Sequence, residues 1–235
     1  MKIAFINGSP RAERSTSAHM LSALEDRLKD SGGPVEIIHI PISLGKGTPV
    51  GRRLQAGGAV SDGSALFSCE AVVFAFPVYL DAIPAQLLRF LREAEVTRVE
   101  GQTPDGLSPG PAVYAIIGCG FIEGENTRVS MEMMKVWCRR TGCGYKRSIG
   151  YGGGGMGDKL VSGKWRGREI GRALKELAKN ILSKDGGEDI ITKATKSRAS
   201  YNRSGNKAWK AAAKKRGLGK EDMLRFHGQN DAEDN

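Results

Sequence analysis

The sequence predicts an α/β protein: a doubly wound, five-stranded parallel sheet covered by helices on both faces, followed by a basic C-terminal extension. Three observations predict it. Short, nearly continuous apolar runs alternate with segments of helical periodicity, as in strands buried on both faces. Loops rich in glycine, proline or hydroxyls follow the strands. Cationic charge is concentrated beyond the last periodic segment.

In chain order, Ile3-Ala4-Phe5-Ile6 reads as the first strand, and Leu21, Leu24 and Leu28 place one face of a helix over Ala18 to Lys29. Val35 to Ile40 is a short second strand, in which His39 stands alone and reads as a strand residue rather than a ligand. Pro41 to Gly63 has no clear period. Ala71 to Ala75 is a third, almost wholly apolar strand, and Pro84 opens a helix running to Glu95. Ala112 to Cys119 is the fourth strand, and Val129, Met133, Val136 and Trp137 mark the next helix as core-facing. Tyr145 to Tyr151 is the fifth strand, and Ile170, Ala173, Leu174, Leu177 and Ile181 line a final helix. In such sheets ligands bind outside the carboxyl ends of the strands.

Composition narrows the class. At 235 residues the chain hides about 70% of its unfolded surface, enough for one sizeable domain. No apolar stretch of about 18 residues exists, so no membrane span is expected, and nothing resembles a signal peptide. The four cysteines, Cys69, Cys119, Cys138 and Cys143, are scattered singly, and only three histidines occur, so no metal site is expected. Reduced thiols and a cytoplasmic location follow as expectations. Net charge is +10, yet residues 190 to 220 hold ten Lys or Arg and no acid, so the other 26 cations balance the 26 acids. The basic character belongs to a tail.

The most informative segment is Asn7-Gly8-Ser9-Pro10-Arg11-Ala12-Glu13-Arg14-Ser15-Thr16-Ser17, between the first strand and the first helix. A glycine turn entering a helix N-terminus aims unpaired amides and the positive end of the helix dipole at an anion. Ser9, Ser15, Thr16 and Ser17 add hydroxyls, and Arg11 adds a fixed charge. A simple helix cap by Ser15 or Thr16 needs only one hydroxyl. The turn is neither Gly-x-Gly-x-x-Gly nor Gly-x-x-x-x-Gly-Lys-Ser/Thr, so triphosphate chemistry is disfavoured. The hydroxyls suit a phosphate monoester such as that of flavin mononucleotide (FMN).

Three further loops fall at the same sheet edge. Phe76-Pro77-Val78-Tyr79-Leu80-Asp81-Ala82-Ile83-Pro84 is stiffened by prolines around an aromatic. Gly118-Cys119-Gly120-Phe121 lets backbone approach a ligand closely. Gly150 to Gly157 holds six glycines and reads equally as a mobile linker.

These motifs resemble the flavodoxin-like NAD(P)H-dependent FMN reductase family, relatives of iron–sulfur flavoproteins and quinone reductases. The resemblance rests on Gly8-Ser9-Pro10-Arg11 with Ser15-Thr16-Ser17, on Pro77-Val78-Tyr79 with Ile83-Pro84-Ala85, and on the glycine loop at Gly118. It implies strand order 2-1-3-4-5 and a flavodoxin-like domain over residues 1–183, with 184–235 a basic extension, partly helical or mobile. It also implies that Ser9, Arg11, Ser15, Thr16 and Ser17 hold the FMN phosphate. Pro77, Val78, Tyr79 and Leu80 would line the isoalloxazine, with Gly118, Cys119, Gly120 and Phe121 beside its far edge. NAD(P)H would be the co-substrate and a quinone, flavin or other small molecule the acceptor, in a homodimer or homotetramer. No side chain need act as acid or base, since the flavin carries the chemistry. The alternative is an electron-carrying flavodoxin, although such carriers tend to be short and acidic.

Two departures stand out. Pro41 to Ser68 holds no cysteine, so no iron–sulfur cluster is expected, and the family pattern does not explain the chain beyond Lys184. The tail's Lys207, Lys210 and Lys214 share a helical face, and nucleic acid or an acidic partner is one reading. The favoured expectation is a solvated arm, or one docked through Trp209, Leu218, Leu224 and Phe226.

Overall fold

A computed structural model describes residues 1–42, 63–100, 106–154, 168–194, 197–219 and 222. Most of the segment from Pro41 to Gly63, Gly155 to Gly157, Leu224 and Phe226 lie outside the described residues. By its contacts the chain forms two compact units, Met1–Thr195 and Lys196–Asn235.

The first unit is a parallel sheet of β1 (Lys2–Asn7), β2 (Glu36–His39), β3 (Ala71–Pro77), β4 (Ala112–Gly118), β5 (Gly144–Tyr151) and β6 (Ile190–Thr192) in the order 2-1-3-4-5-6. Five of these strands and their order match the expectation. The sixth is an addition: Ile190 to Thr192 pairs with Ile149 to Tyr151 and extends the sheet past residue 183. Three residues beside a cationic run carry no readable period, so the pairing comes from the neighbouring edge rather than from local sequence.

The helices are α1 (Thr16–Lys29), α2 (Ala85–Val99), α3 (Arg128–Thr141) and α4 (Arg168–Ser183). They cover both faces, as near-continuous apolar strands require. On one face, Met20, Leu21, Leu24 and Leu28 of α1 pack with Ile170, Leu174, Leu177 and Ile181 of α4 over Ile3, Phe5 and Val73. On the other, Leu87, Phe90 and Leu91 of α2 join Met131, Met134 and Trp137 of α3 over Ile6, Phe74 and Ile117. The Trp137 indole donates to Leu91 O at 2.9 Å, satisfying its buried N–H.

The sequence pattern found α3 but chose its face imperfectly. Met131, Met134, Trp137 and Cys138 are buried, whereas Val129 and Val136 are 56% and 44% exposed. This helix is apolar on two faces, so periodicity alone does not say which faces the sheet. With Ile83, Leu88, Leu91 and Met133, the two valines line an apolar groove of ≈ 400 Å³ between α2 and α3. His39, in β2, lies 3.3 Å from Glu25.

Strand register positions the functional region. Asn7 pairs with Ala75, Pro77 with Gly118, and Gly118 with Tyr151, so four carboxyl ends reach one edge together. Strand order reverses between β1 and β3, where doubly wound sheets open a crevice. The second unit holds α5 (Arg198–Lys215), capped by Ser197, whose side chain accepts from the Ser200 amide at 3.3 Å. Among the described residues no helix is long and apolar enough to cross a membrane.

Candidate functional site

The turn after β1 is built by Asn7. Its Oδ1 accepts from the Ser9 amide at 3.0 Å, and its Nδ2 donates to Ala12 O at 2.9 Å and to Ser15 Oγ at 3.3 Å. An asparagine bonded to backbone two residues on is a standard turn organiser. Ala12 sits at φ 49°, a left-handed conformation that a non-glycine residue holds only when its surroundings impose it. Gln86 Nε2 donates to Gly8 O at 2.8 Å, tying the turn to α2. A β-carbon on Gly8 would meet Leu87 Cδ2 at 2.6 Å, which explains the glycine.

The four hydroxyls of this turn have distinct uses. Ser15 is the α1 cap: it accepts from Ala18 N at 3.1 Å and donates to Ala12 O at 2.6 Å. Thr16 Oγ1 donates to Gly154 O at 2.9 Å, binding the loop after β5 to the start of α1. Ser17, buried, hydrogen-bonds the Tyr151 phenol. Ser9 Oγ accepts from Arg11 N at 3.3 Å. The backbone amides of Thr16 and Ser17, the first two of α1, have no acceptor among the described residues. Arg11 is exposed, and among the described residues it is in no ion pair. Amides without acceptors at the first turn of a helix lie at the positive end of its dipole, which favours an anion.

The loop after β3 folds back as a two-residue hairpin. Tyr79 and Ala82 exchange both backbone hydrogen bonds at 3.1 Å, and Leu80 and Asp81 take φ of 50° and 59°. Asp81 Oδ1 accepts from Asn126 Nδ2 at 3.2 Å, and its carbonyl accepts from Ser130 Oγ at 3.3 Å, so the hairpin is pinned towards α3. Val78 N donates to Gly118 O at 2.8 Å.

After β4, Gly154 N donates to Cys119 O at 2.7 Å and Gly153 N to Phe121 O at 2.6 Å, which joins this loop to the one after β5. Cys119 is buried, and its thiol donates to Glu123 O at 2.9 Å. Burial pushes that thiol's pKa up, so it is neither a thiolate nor a nucleophile at neutral pH. Burial also pushes the Tyr151 phenol well above its usual value, opposed by the Ser17 hydrogen bond.

These loops enclose a cleft of ≈ 200 Å³ lined by Ser9, Arg11, Ser15, Thr16, Ser17, Pro77, Val78, Tyr79, Gly118, Cys119, Gly120, Tyr151 and Gly154. Eleven are residues singled out from the sequence. The other two singled out, Leu80 and Phe121, are not in its wall: Leu80 is fully exposed at the hairpin apex and Phe121 is 59% exposed. Tyr151 and Gly154 are additions to the wall, and Asn7 is an addition behind it, as the residue that shapes the turn. The signal for Tyr151 was present, since an aromatic strand end falls opposite a glycine, Gly118. Among the described residues no acid lines the cleft, although Asp81 and Glu123 lie close enough to act on Cys119. A larger hollow of ≈ 490 Å³ at the opposite sheet edge has Glu70 and Lys184 in its wall, but they pair with each other at 2.6 Å.

Comparison with known proteins agrees with this architecture. Among curated proteins no relative was found. Similar solved structures include the Trp repressor binding protein from Bacillus subtilis, 18% identical with TM-score 0.52, covering 74% of this chain and 98% of that one. A short-chain flavodoxin associated with a bacterial microcompartment is 13% identical with TM-score 0.51, covering 78% and 99%. An FMN-dependent NADH-azoreductase from Bacillus anthracis, solved in complex with FMN, is 17% identical with TM-score 0.50, covering 77% and 98%. At these identities the likeness establishes the fold. The family model described as "Flavodoxin-like fold" matches residues 1–135, more than half of the sequence, and with the sheet order and the crevice this places the chain in the flavodoxin-like fold family.

Proposed function

We propose that the protein is an FMN-dependent oxidoreductase that draws reducing equivalents from NAD(P)H and delivers them to a quinone, a flavin or another small acceptor. The observation that carries this reading is the pair of amides at Thr16 and Ser17 without acceptors among the described residues, in a cleft that Arg11 lines and whose described lining holds no acid. That donor set fits a dianionic monoester. The azoreductase solved with FMN on the same fold supports it.

In this reading the start of α1 and Arg11 bind the phosphate, with Ser9 at its side. The hairpin-stiffened segment Pro77 to Tyr79 fixes one edge of the ring system. Gly118 and Gly120 leave room for close backbone approach. Tyr79, 49% exposed, and Phe121 offer apolar surface to a second ring. When bound, FMN supplies the two-electron chemistry between a reduced nicotinamide and the acceptor. The chain's part is binding, orientation and exclusion of water.

The test is anaerobic mixing of the FMN-loaded protein with NADH and with NADPH, read at the flavin absorbance band. Rapid bleaching by either is expected. Its absence, with bleaching by dithionite, would favour the electron-carrier reading suggested by the flavodoxin neighbour. Arg11→Ala should weaken FMN binding about 10-fold or more, the range of one charge-assisted hydrogen bond. The melting temperature should hold, because the residue is exposed and unpaired.

A homodimer or homotetramer is part of the proposal, and the apolar groove between α2 and α3 is its interface. Leu88, Val129 and Val136 there are 44% to 56% exposed, more contiguous apolar surface than scattered side chains present. Val129→Glu with Val136→Glu should lower the light-scattering mass to that of one chain without unfolding it. An unchanged mass would place the interface elsewhere.

A further inference from the structure

We propose that α5 is a nucleic-acid-binding helix that grips the phosphate backbone of a duplex without reading its sequence. Arg203, Lys207, Lys210 and Lys214 recur every three or four residues, which gathers them within about 60° of the helix circumference. All four are exposed, and among the described residues none is in an ion pair. Residues 190 to 220 contain no acid to neutralise them.

Such a stripe is unfavourable for an isolated helix. Like charges three or four residues apart destabilise it, and here three such pairs follow one another with no compensating acid. Gly205 weakens the helix further. A polyanion laid along the stripe removes the repulsion. From Arg203 to Lys214 the stripe runs about 16 Å, alongside about five phosphates of one strand.

The rest of the helix selects among anionic partners. Between Arg198 and Lys215 there is no Leu, Ile, Val, Met or Phe. A membrane-surface helix needs a broad apolar face to insert, and a protein interface needs an apolar core. Nucleic-acid interfaces are instead polar and strongly positive. Asn202 and Asn206, exposed beside the stripe, add hydrogen-bonding groups for phosphate and sugar. Trp209 lies well around the helix from the stripe and is 72% exposed; Leu218 is 47% exposed. The inference stands on the second unit alone and survives failure of the flavin reading.

The test is fluorescence anisotropy of labelled 20-base-pair DNA, 20-base-pair RNA and a 20-base single strand, with the full-length protein between 50 and 300 mM KCl. Wild type should bind the duplexes with a steep salt dependence. Changing Arg203, Lys207, Lys210 and Lys214 together to Gln should reduce the slope of log K against log salt by about 3 to 4 and weaken binding at 100 mM KCl at least about 100-fold. Lys215→Gln, off the stripe, should change the slope by less than about 1. Circular dichroism should show the quadruple variant as helical as wild type, because repulsion is relieved. Absence of duplex binding at 50 mM KCl, or a quadruple variant with the wild-type slope, overturns the proposal. So does equal binding of polyglutamate, or tighter binding to vesicles rich in phosphatidylserine than to either duplex.

Discussion

Gly118→Ala is expected to lower stability by about 1 to 3 kcal/mol, the range for a forced fit in a packed interior. In a unit of this size that is a fall in melting temperature of several degrees. The added β-carbon would lie 2.3 Å from Tyr151 Cζ and 2.4 Å from its hydroxyl. Neither partner yields easily. Gly118 ends a wholly buried strand and is paired on both sides, to Pro77 and to Tyr151 itself. The Tyr151 ring is buried, with its phenol bonded to Ser17. Moving the ring out strands the Ser17 hydroxyl and disturbs the first turn of α1, where the proposed anion seat lies. FMN affinity should therefore fall with stability, although Gly118 is not at the phosphate. Thermal denaturation with and without FMN checks both; an unchanged melting temperature would show that the ring has space that the structure denies it.

Asn7→Ala should have the other large effect. It removes three hydrogen bonds, leaves the Ser9 amide without an acceptor, and releases the left-handed Ala12 from what holds it. Expected losses are about 2 to 3 kcal/mol of stability and at least about 30-fold in FMN affinity, more than the roughly 1 kcal/mol for Ser15→Ala, a lost cap. Asn7→Asp separates two contributions. It keeps the acceptor for Ser9 N but loses the donor, and it adds a negative charge beside the proposed anion seat. It should be more stable than Asn7→Ala and yet bind FMN more weakly. Calorimetric titration of the three proteins checks the order, and equal affinities would mean that Asn7 shapes the turn without serving the ligand.

The contrast between Asn7 and its neighbours shows how far the sequence reads. The central strands and α1 and α4 were legible because buried parallel strands are apolar throughout and α1 and α4 have a single apolar face. Placement of the cleft followed, since strand ends in register must share one edge. What was not legible was the use made of each polar group. In sequence Ser15, Thr16 and Ser17 look alike; in the fold one caps the helix, one holds Gly154 and one holds Tyr151. The amides of Thr16 and Ser17, invisible to composition, are the donors without acceptors among the described residues. Leu80 and Phe121 sit in the right loops, but the hairpin at Leu80-Asp81 points its apex into solvent, a backbone property no residue pattern there announced. The face of α3 and the three-residue β6 were hidden for related reasons. Each depends on what lies alongside rather than on its own residues.

The central claim, that the turn after β1 is an anion seat for a phosphate monoester, is tested most directly by comparing FMN with riboflavin. The two share the ring system and differ at the phosphate. Fluorescence titration of the protein should give FMN an affinity at least about 100-fold above riboflavin, the contribution of two amides and a guanidinium to a dianion, and Arg11→Ala should narrow the gap. Equal affinities for the two, or no binding of either, would contradict it.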